Sequence, residues 1–227
     1  GGDNTAVGSS SMLNIKDGYS NVAIGVNAGK TLVDGYYNVY LGVNAGSGAV
    51  TSAHSNVGVG ISALSSAHGA GNVAIGRGAL SSTLDANQVA IGYSALEANT
   101  SGEKNTAVGF QALEANTTGN YNVAIGHEAL EANVHGDGSV AIGYEALATS
   151  APADGAGFNV GIGYQALTAT TTSYSNVGVG NKAGTGLTTG YSNTLIGAQA
   201  GESVGTHNHN TYLGYNTGIY NTGDANV

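Results

Sequence analysis

The chain has 227 residues, among them 39 Gly, one Pro, two Phe and neither Cys nor Trp. Leu, Ile, Val and Phe together number 46, about a fifth of the chain, which excludes a thick hydrophobic core. Five basic and 14 acidic residues give a formal charge of −9. That balance provides no basic stripe for nucleic acid, and the lack of Cys rules out disulfides and thiolate metal sites.

From the N-terminus, the first regular feature is the pentad "NTAVG" at Asn4. It returns at Asn21, Asn38, Asn56, Asn72, Gln88, Asn105, Asn122, Ser139, Asn159, Asn176, Asn193 and Asn210, with spacings of 16 to 20 residues and most often 17. A fourteenth copy begins at Asn226, next to the last residue, Val227. A short period sustained along a whole chain marks a solenoid, whose units bury their apolar atoms only by stacking on neighbours. The pattern predicts an all-β parallel β-roll of about thirteen 17-residue coils, forming one repeat domain over residues 1–227. At roughly 4.8 Å per coil, the stack is on the order of 60 Å long.

With the pentad's first residue as position 1, position 2 is Val nine times and Thr four times, and position 4 is always Ile, Val or Leu. Strand alternation puts these two on one face, which is expected to be the inside. Position 3 is Ala seven times and Gly three times, with Tyr40, Leu195 and Tyr212 as exceptions. This second row is expected outside, covered by another chain. Position 5 is always Gly, as a corner with positive φ or no room for a Cβ requires. Asn, at position 1 of eleven copies, is expected to hydrogen-bond from coil to coil.

At position 9 the second and third coils carry Gly29 and Gly46, and the next seven carry Leu64, Leu80, Leu96, Leu113, Leu130, Leu147 and Leu167. The last three return to Gly184, Gly201 and Gly218. Leu32, Leu187 and Val204, three residues after a position-9 Gly, are expected to keep the interior filled. Length changes, including the "APADGAG" insertion with Pro152, fall late in the coil and mark its outward loop. Stack ends expose strand edges that need caps. None is visible, so the chain is expected to be a segment of a longer fibre.

"SVAIGYEALA" at Ser139 resembles the head repeats of trimeric autotransporter adhesins. "NTAVGFQALEANTTGNYNVAIG" at Asn105 is similar to the 17-residue repeats of phage tail-fibre proteins. The resemblance implies a left-handed roll packed as a homotrimer. It also implies an extracellular setting, on a virion tail fibre or a bacterial cell surface, with a cell-surface glycan or protein receptor as partner. The residues themselves ask only for more than one copy.

Three groups of side chains are candidate sites. His207 and His209, in "HNH", would face one way in an extended stretch, and three chains would present six imidazole nitrogens to a transition metal; phage fibres of the resembling kind bind iron through such motifs. The alternative is two solvated histidines, and no cofactor is required. Glu97, Glu114 and Glu131, each followed two residues later by Asn99, Asn116 and Asn133, form an acidic row that calcium would relieve but that is more often simply solvated, and nothing in it requires an ion. Tyr93, Phe110, His127, Tyr144 and Tyr164 at position 6, and Tyr19, Tyr36, Tyr174 and Tyr191 before the pentad, form aromatic rows suited to a chain interface or a glycan.

Catalytic patterns are lacking. "GVNAGKT" at Gly25 has three residues between its glycines where a phosphate-binding loop has four, and no nucleophile elbow or paired catalytic carboxylates occur. No apolar run approaches the 18 residues of a membrane span, and the first residues do not read as a signal peptide, so the expectation is either a soluble protein or a segment of a longer exported or assembled chain. The expectation is a non-enzymatic structural and adhesive fibre segment that attaches to a cell surface. The alternatives are a single-chain solenoid that binds ice or glycan and, further off, a glycan depolymerase.

Overall fold

A computed structural model describes residues 2–48, 52–66, 69–153, 156–218 and 223–226. Val227, in the fourteenth pentad, and Asp154 and Gly155, in the insertion, lie outside the described residues. The chain forms two compact units, Gly1–Val108 and Gly109–Val227. Both are built from the same element, a coil with a three-residue strand at positions 2 to 4 followed by turns.

The first unit holds β1 (Thr5–Val7), β2 (Val22–Ile24), β3 (Val39–Leu41), β4 (Val57–Val59), β5 (Val73–Ile75), β6 (Val89–Ile91) and β7 (Thr106–Val108). The second holds β8 (Val123–Ile125), β9 (Val140–Ile142), β10 (Val160–Ile162), β11 (Val177–Val179), β12 (Thr194–Ile196) and β13 (Thr211–Leu213). In each unit, strands consecutive in the chain are neighbours and pair in parallel. The register matches equivalent positions, such as Val22 with Val39 and Ala23 with Tyr40, or Val160 with Val177. The fold is therefore an all-β parallel solenoid, and no helix occurs among the described residues.

The expected sidedness of the strands is reversed. Ala23 is 0% exposed, whereas Ile24 is 43% exposed, and the same contrast separates Ala124 from Ile125 and Ala141 from Ile142. Alternation defines two faces but not which one points inward. The interior is too narrow for branched residues at positions 2 and 4. It holds the small position-3 residue, the position-8 Ala and the position-9 Leu, all fully buried in coils such as the one with Ala124, Ala129 and Leu130. Each such Leu contributes about 1.5–3 kcal/mol through burial.

Where position 9 is Gly, another group takes the volume. Leu32, Leu187 and Val204 are buried as expected. Tyr40, Leu195 and Tyr212 also point inward, against Gly46, Gly201 and Gly218 respectively. These exceptions to the small position-3 rule thus fill coils that lack Leu. Burial pushes the Tyr40 hydroxyl well above its ordinary pKa.

Two polar ladders flank the apolar strip. At position 1, Asn21 Nδ2 donates to Asn4 Oδ1 at 2.9 Å and to Gly35 O at 2.8 Å, while its Oδ1 accepts the backbone N–H and the Nδ2 of Asn38. The amide has a partner at every polar atom, as a buried amide needs. The second unit repeats the arrangement through Asn159, Asn176, Asn193 and Asn210, and Asn226 extends it with an Nδ2 bond of 2.8 Å to Asn210. At position 12, Asn116 and Asn133 are buried and joined by an Nδ2-to-Oδ1 bond of 3.0 Å. Ser150 follows them with its Oγ buried and unpartnered, its side chain being shorter.

The position-5 glycine is a corner for both reasons anticipated. At Gly25, φ is +139°, and a Cβ there would strike the backbone of Gly42. Position 9 brings a feature with no sequence signal: Leu64, Leu96, Leu113 and Leu130 have φ of 51 to 53°. That region costs an L-residue roughly 1–2 kcal/mol, which packing of the same side chain offsets.

Candidate functional surface

The strands carry their large aliphatics outward. Ile125 and Ile142 in the second unit, and Ile24, Ile75 and Ile91 in the first, are exposed at position 4. Position 6 follows the Gly corner. In the second unit it supplies Phe110, His127, Tyr144 and Tyr164, whose centroids are separated by 4.8, 5.2 and 5.2 Å with interplanar angles of 20° or less. The in-register coils set this spacing, so the expected row forms. Because the rings lie face to face, their edges rather than their faces are available outside the row.

Tyr93 belongs to the first unit. Its hydroxyl accepts a 3.0 Å hydrogen bond from Arg77 Nη1, and the guanidinium lies 5.4 Å from its ring centroid. The residues before the pentad also stack. Tyr19 and Tyr36 are 5.2 Å apart, His54 continues the row at 4.8 Å, and Tyr174 and Tyr191 are 5.0 Å apart. His54 had no place in the sequence expectation, although it stands two residues before Asn56, as Tyr36 stands before Asn38.

The acidic row separates from its neighbouring amides. Asn99, Asn116 and Asn133 turn into the interior as the position-12 ladder, while Glu97, Glu114 and Glu131 stay partly exposed, so the amides and carboxylates do not converge. Glu114 Oε2 accepts from Gln111 Nε2 at 2.6 Å. Partial burial, then the nearby charges of Glu128 and Glu114, raise the pKa of Glu131. The Glu145 carboxylate, which accepts from Gln165 Nε2 at 2.7 Å, is shifted down by that bond.

His207 and His209 lie beside the position-1 ladder, where His207 O accepts from Asn193 Nδ2. The backbone between them is not extended, since φ at His209 is +59°. His207 Nδ1 is 2.7 Å from Val204 O, and His209 packs edge-on against Tyr191. Among the described residues, no three His, Cys, Asp or Glu side chains are grouped to hold a metal ion.

Comparison with known proteins yields no match to a family model, a curated protein or a solved structure. No helix among the described residues is long and apolar enough to cross a membrane.

Proposed function

We propose that the chain is a rigid, non-catalytic segment of an extracellular fibre, assembled from identical copies and serving attachment to a cell surface. The observation that carries this reading is the outward Ile row beside the ordered aromatic row. The interior is already filled by Ala and Leu, so the exposed aliphatics have no partner to meet inside the chain. Apolar patches of this kind mark association surfaces. Rings stacked face to face leave little flat area for a sugar, which favours a contact between copies over a glycan platform for this row.

Three copies is the number that resemblance to adhesin heads and tail-fibre repeats implies, on a virion tail fibre or a bacterial surface. Such a closed ring would cover equivalent faces on every copy. The same threefold arrangement would bring three copies of His207 and His209 together, and a transition metal there would hold the copies at one level.

Light scattering tests the reading. A solution mass near three times 22.2 kDa, reduced to a single copy by replacing Ile125 and Ile142 with Asp, is the expected result. A monomer at all concentrations overturns it. A mass unchanged by a chelator removes the metal from the assembly.

A further inference from the structure

The repeat is interrupted on the surface of the first unit, where three coils in register form a notch of about 270 Å³. Position 6 supplies Ile61, Arg77 and Tyr93 there, and position 7 supplies Ser62, Gly78 and Ser94. Position 10 adds Ser65, Ser81 and Glu97. Arg77 is the only arginine of the chain, and Gly78 the only glycine at position 7.

Packing does not require that glycine. A Cβ at Gly78 would lie 3.5 Å from Glu97 Oε2 and 3.6 Å from Ser94 Oγ, ordinary contact distances. Its φ of +72° is of the kind that Gln111 and Gln165 adopt at the same position, with φ of 52° and 53°. Leaving out a side chain here opens the notch.

The walls are fixed and chemically mixed. Gly78 N donates to Ile61 O, and Ser94 N to Arg77 O, both at 3.0 Å, which sets the floor. Tyr93 orients the guanidinium through its hydroxyl and its ring. Ser94 is only 5% exposed, with its Oγ toward the space beside Gly78. Among the described residues Arg77 and Glu97 do not pair with each other, so guanidinium donors and carboxylate acceptors both border the notch. Ile61 gives an exposed apolar edge.

We infer that this notch binds one neutral saccharide unit. A pyranose presents hydroxyls that both donate and accept, with apolar C–H patches between them. Glu97 would accept from paired hydroxyls, Arg77 would donate to hydroxyl or ring oxygens, and Ser62, Ser81 and Ser94 would do either. The Glu97 carboxylate and the formal charge of −9 disfavour an anion. The volume is below the roughly 300–1,000 Å³ of drug-sized sites, which fits a single ring better than a long chain. The inference adds a contact to the proposed attachment role, yet its residues belong to one unit and do not depend on copy number.

Saturation-transfer NMR on the whole chain tests it, using methyl glycosides of a hexose, a 6-deoxyhexose, an N-acetylhexosamine and a hexuronic acid. At least one neutral glycoside should show transfer, and both Gly78→Gln and Glu97→Ala should weaken it tenfold or more. Gly78→Gln fills the notch with a residue that three other coils carry at this position, Gln111, Gln165 and Gln199, so the fold should be kept with only the modest drop in melting point that a left-handed side chain brings. Arg77→Ala, matching Ala198 in another coil, provides a second variant whose loss of transfer is expected. The inference is overturned if no glycoside binds, if only the uronic acid binds, or if binding survives Gly78→Gln. Solution mass measured on the same samples reports separately on the fibre reading, because failed sugar binding with an intact trimer removes only the notch.

Discussion

The ring of Tyr40 occupies the space that a side chain at Gly46 would need: a Cβ there would lie 2.5 Å from Cε1 of the tyrosine. Tyr40→Ala should therefore cost about 3–5 kcal/mol, as an aromatic deletion in a packed core does. Gly46→Leu alone should cost about 1–3 kcal/mol by overpacking. Combined, they recreate the Ala-and-Leu interior of the central coils, and the double variant should be more stable than the sum of the singles implies. Denaturant titrations of all four proteins measure the coupling, and strict additivity would refute the exchange of volume.

Asn176 gives a second test. Its Oδ1 accepts Asn193 N at 2.9 Å and Asn193 Nδ2 at 3.0 Å. Asn176→Leu strands the buried Asn193 N–H, at about 1–3 kcal/mol, while Asn193 Nδ2 keeps His207 O as an acceptor. Asn176→Ser should be milder, because Ser139 Oγ already accepts Asn159 N at 3.2 Å in the same ladder. Amide exchange at Asn193 should accelerate strongly for Leu and weakly for Ser. Equal rates in both variants would show that the side-chain ladder does not hold the backbone.

The corner glycines and the notch glycine should respond in opposite ways. Gly126 has φ of +141°, and a Cβ there would meet the carbonyl carbon of Gly143 at 2.6 Å. Gly126→Ala should lower the melting midpoint steeply or prevent folding, through clash and strain together. Gly78→Ala, with a φ of +72° but no clash, should cost only the roughly 1–2 kcal/mol of left-handed strain. Comparable thermal melts for the two would contradict the assigned geometry.

Two carboxylates predict opposite pH responses. The pKa of Glu131 is raised, first by desolvation and then by Glu128 and Glu114. The folded state binds its proton more tightly than the unfolded one, so this group's penalty appears as pH rises above the ordinary value near 4.5. Glu131→Gln should raise the melting temperature at pH 7 and leave it unchanged at pH 3. The pKa of Glu145 is lowered, first by the Gln165 hydrogen bond, so its contribution is present above the ordinary value and lost as pH falls through the folded one. Glu145→Gln should lower the melting temperature at pH 7, with no difference at low pH. Parallel pH profiles for the two variants would rule out these environments.

Much of the coil was legible because its constraints are local. Gly25 and its equivalents announced a corner, the recurring Asn announced a ladder, and a shared place after the corner glycine put Tyr144 over Tyr164 despite the 20-residue coil between them. Sidedness was not legible. Ala23 and Ile24 alternate equally well with either face inward, and hydrophobicity points to the wrong one when the interior admits only a methyl at that point. The position-9 geometry was also hidden, since Leu gives no local signal of positive φ. At Tyr40, an apparent exception became intelligible only beside Gly46. The notch was written in the sequence as the sole glycine at position 7, but its meaning depended on Ser94 and Glu97 arriving from the next coil.

Volume exchange between positions 3, 9 and 12 has a consequence for how such a gene changes length. Within either unit, one Leu-bearing coil offers its neighbours nearly the same surface as the next. An in-frame duplication of some seventeen codons inside the Leu-bearing series adds a coil without asking any existing residue to adapt. The junctions with Gly-bearing coils lack that freedom, because Tyr40 and Leu195 are fitted to particular glycines beside them. Mutation by slippage should accordingly be tolerated in the middle of the array and penalised at its type boundaries.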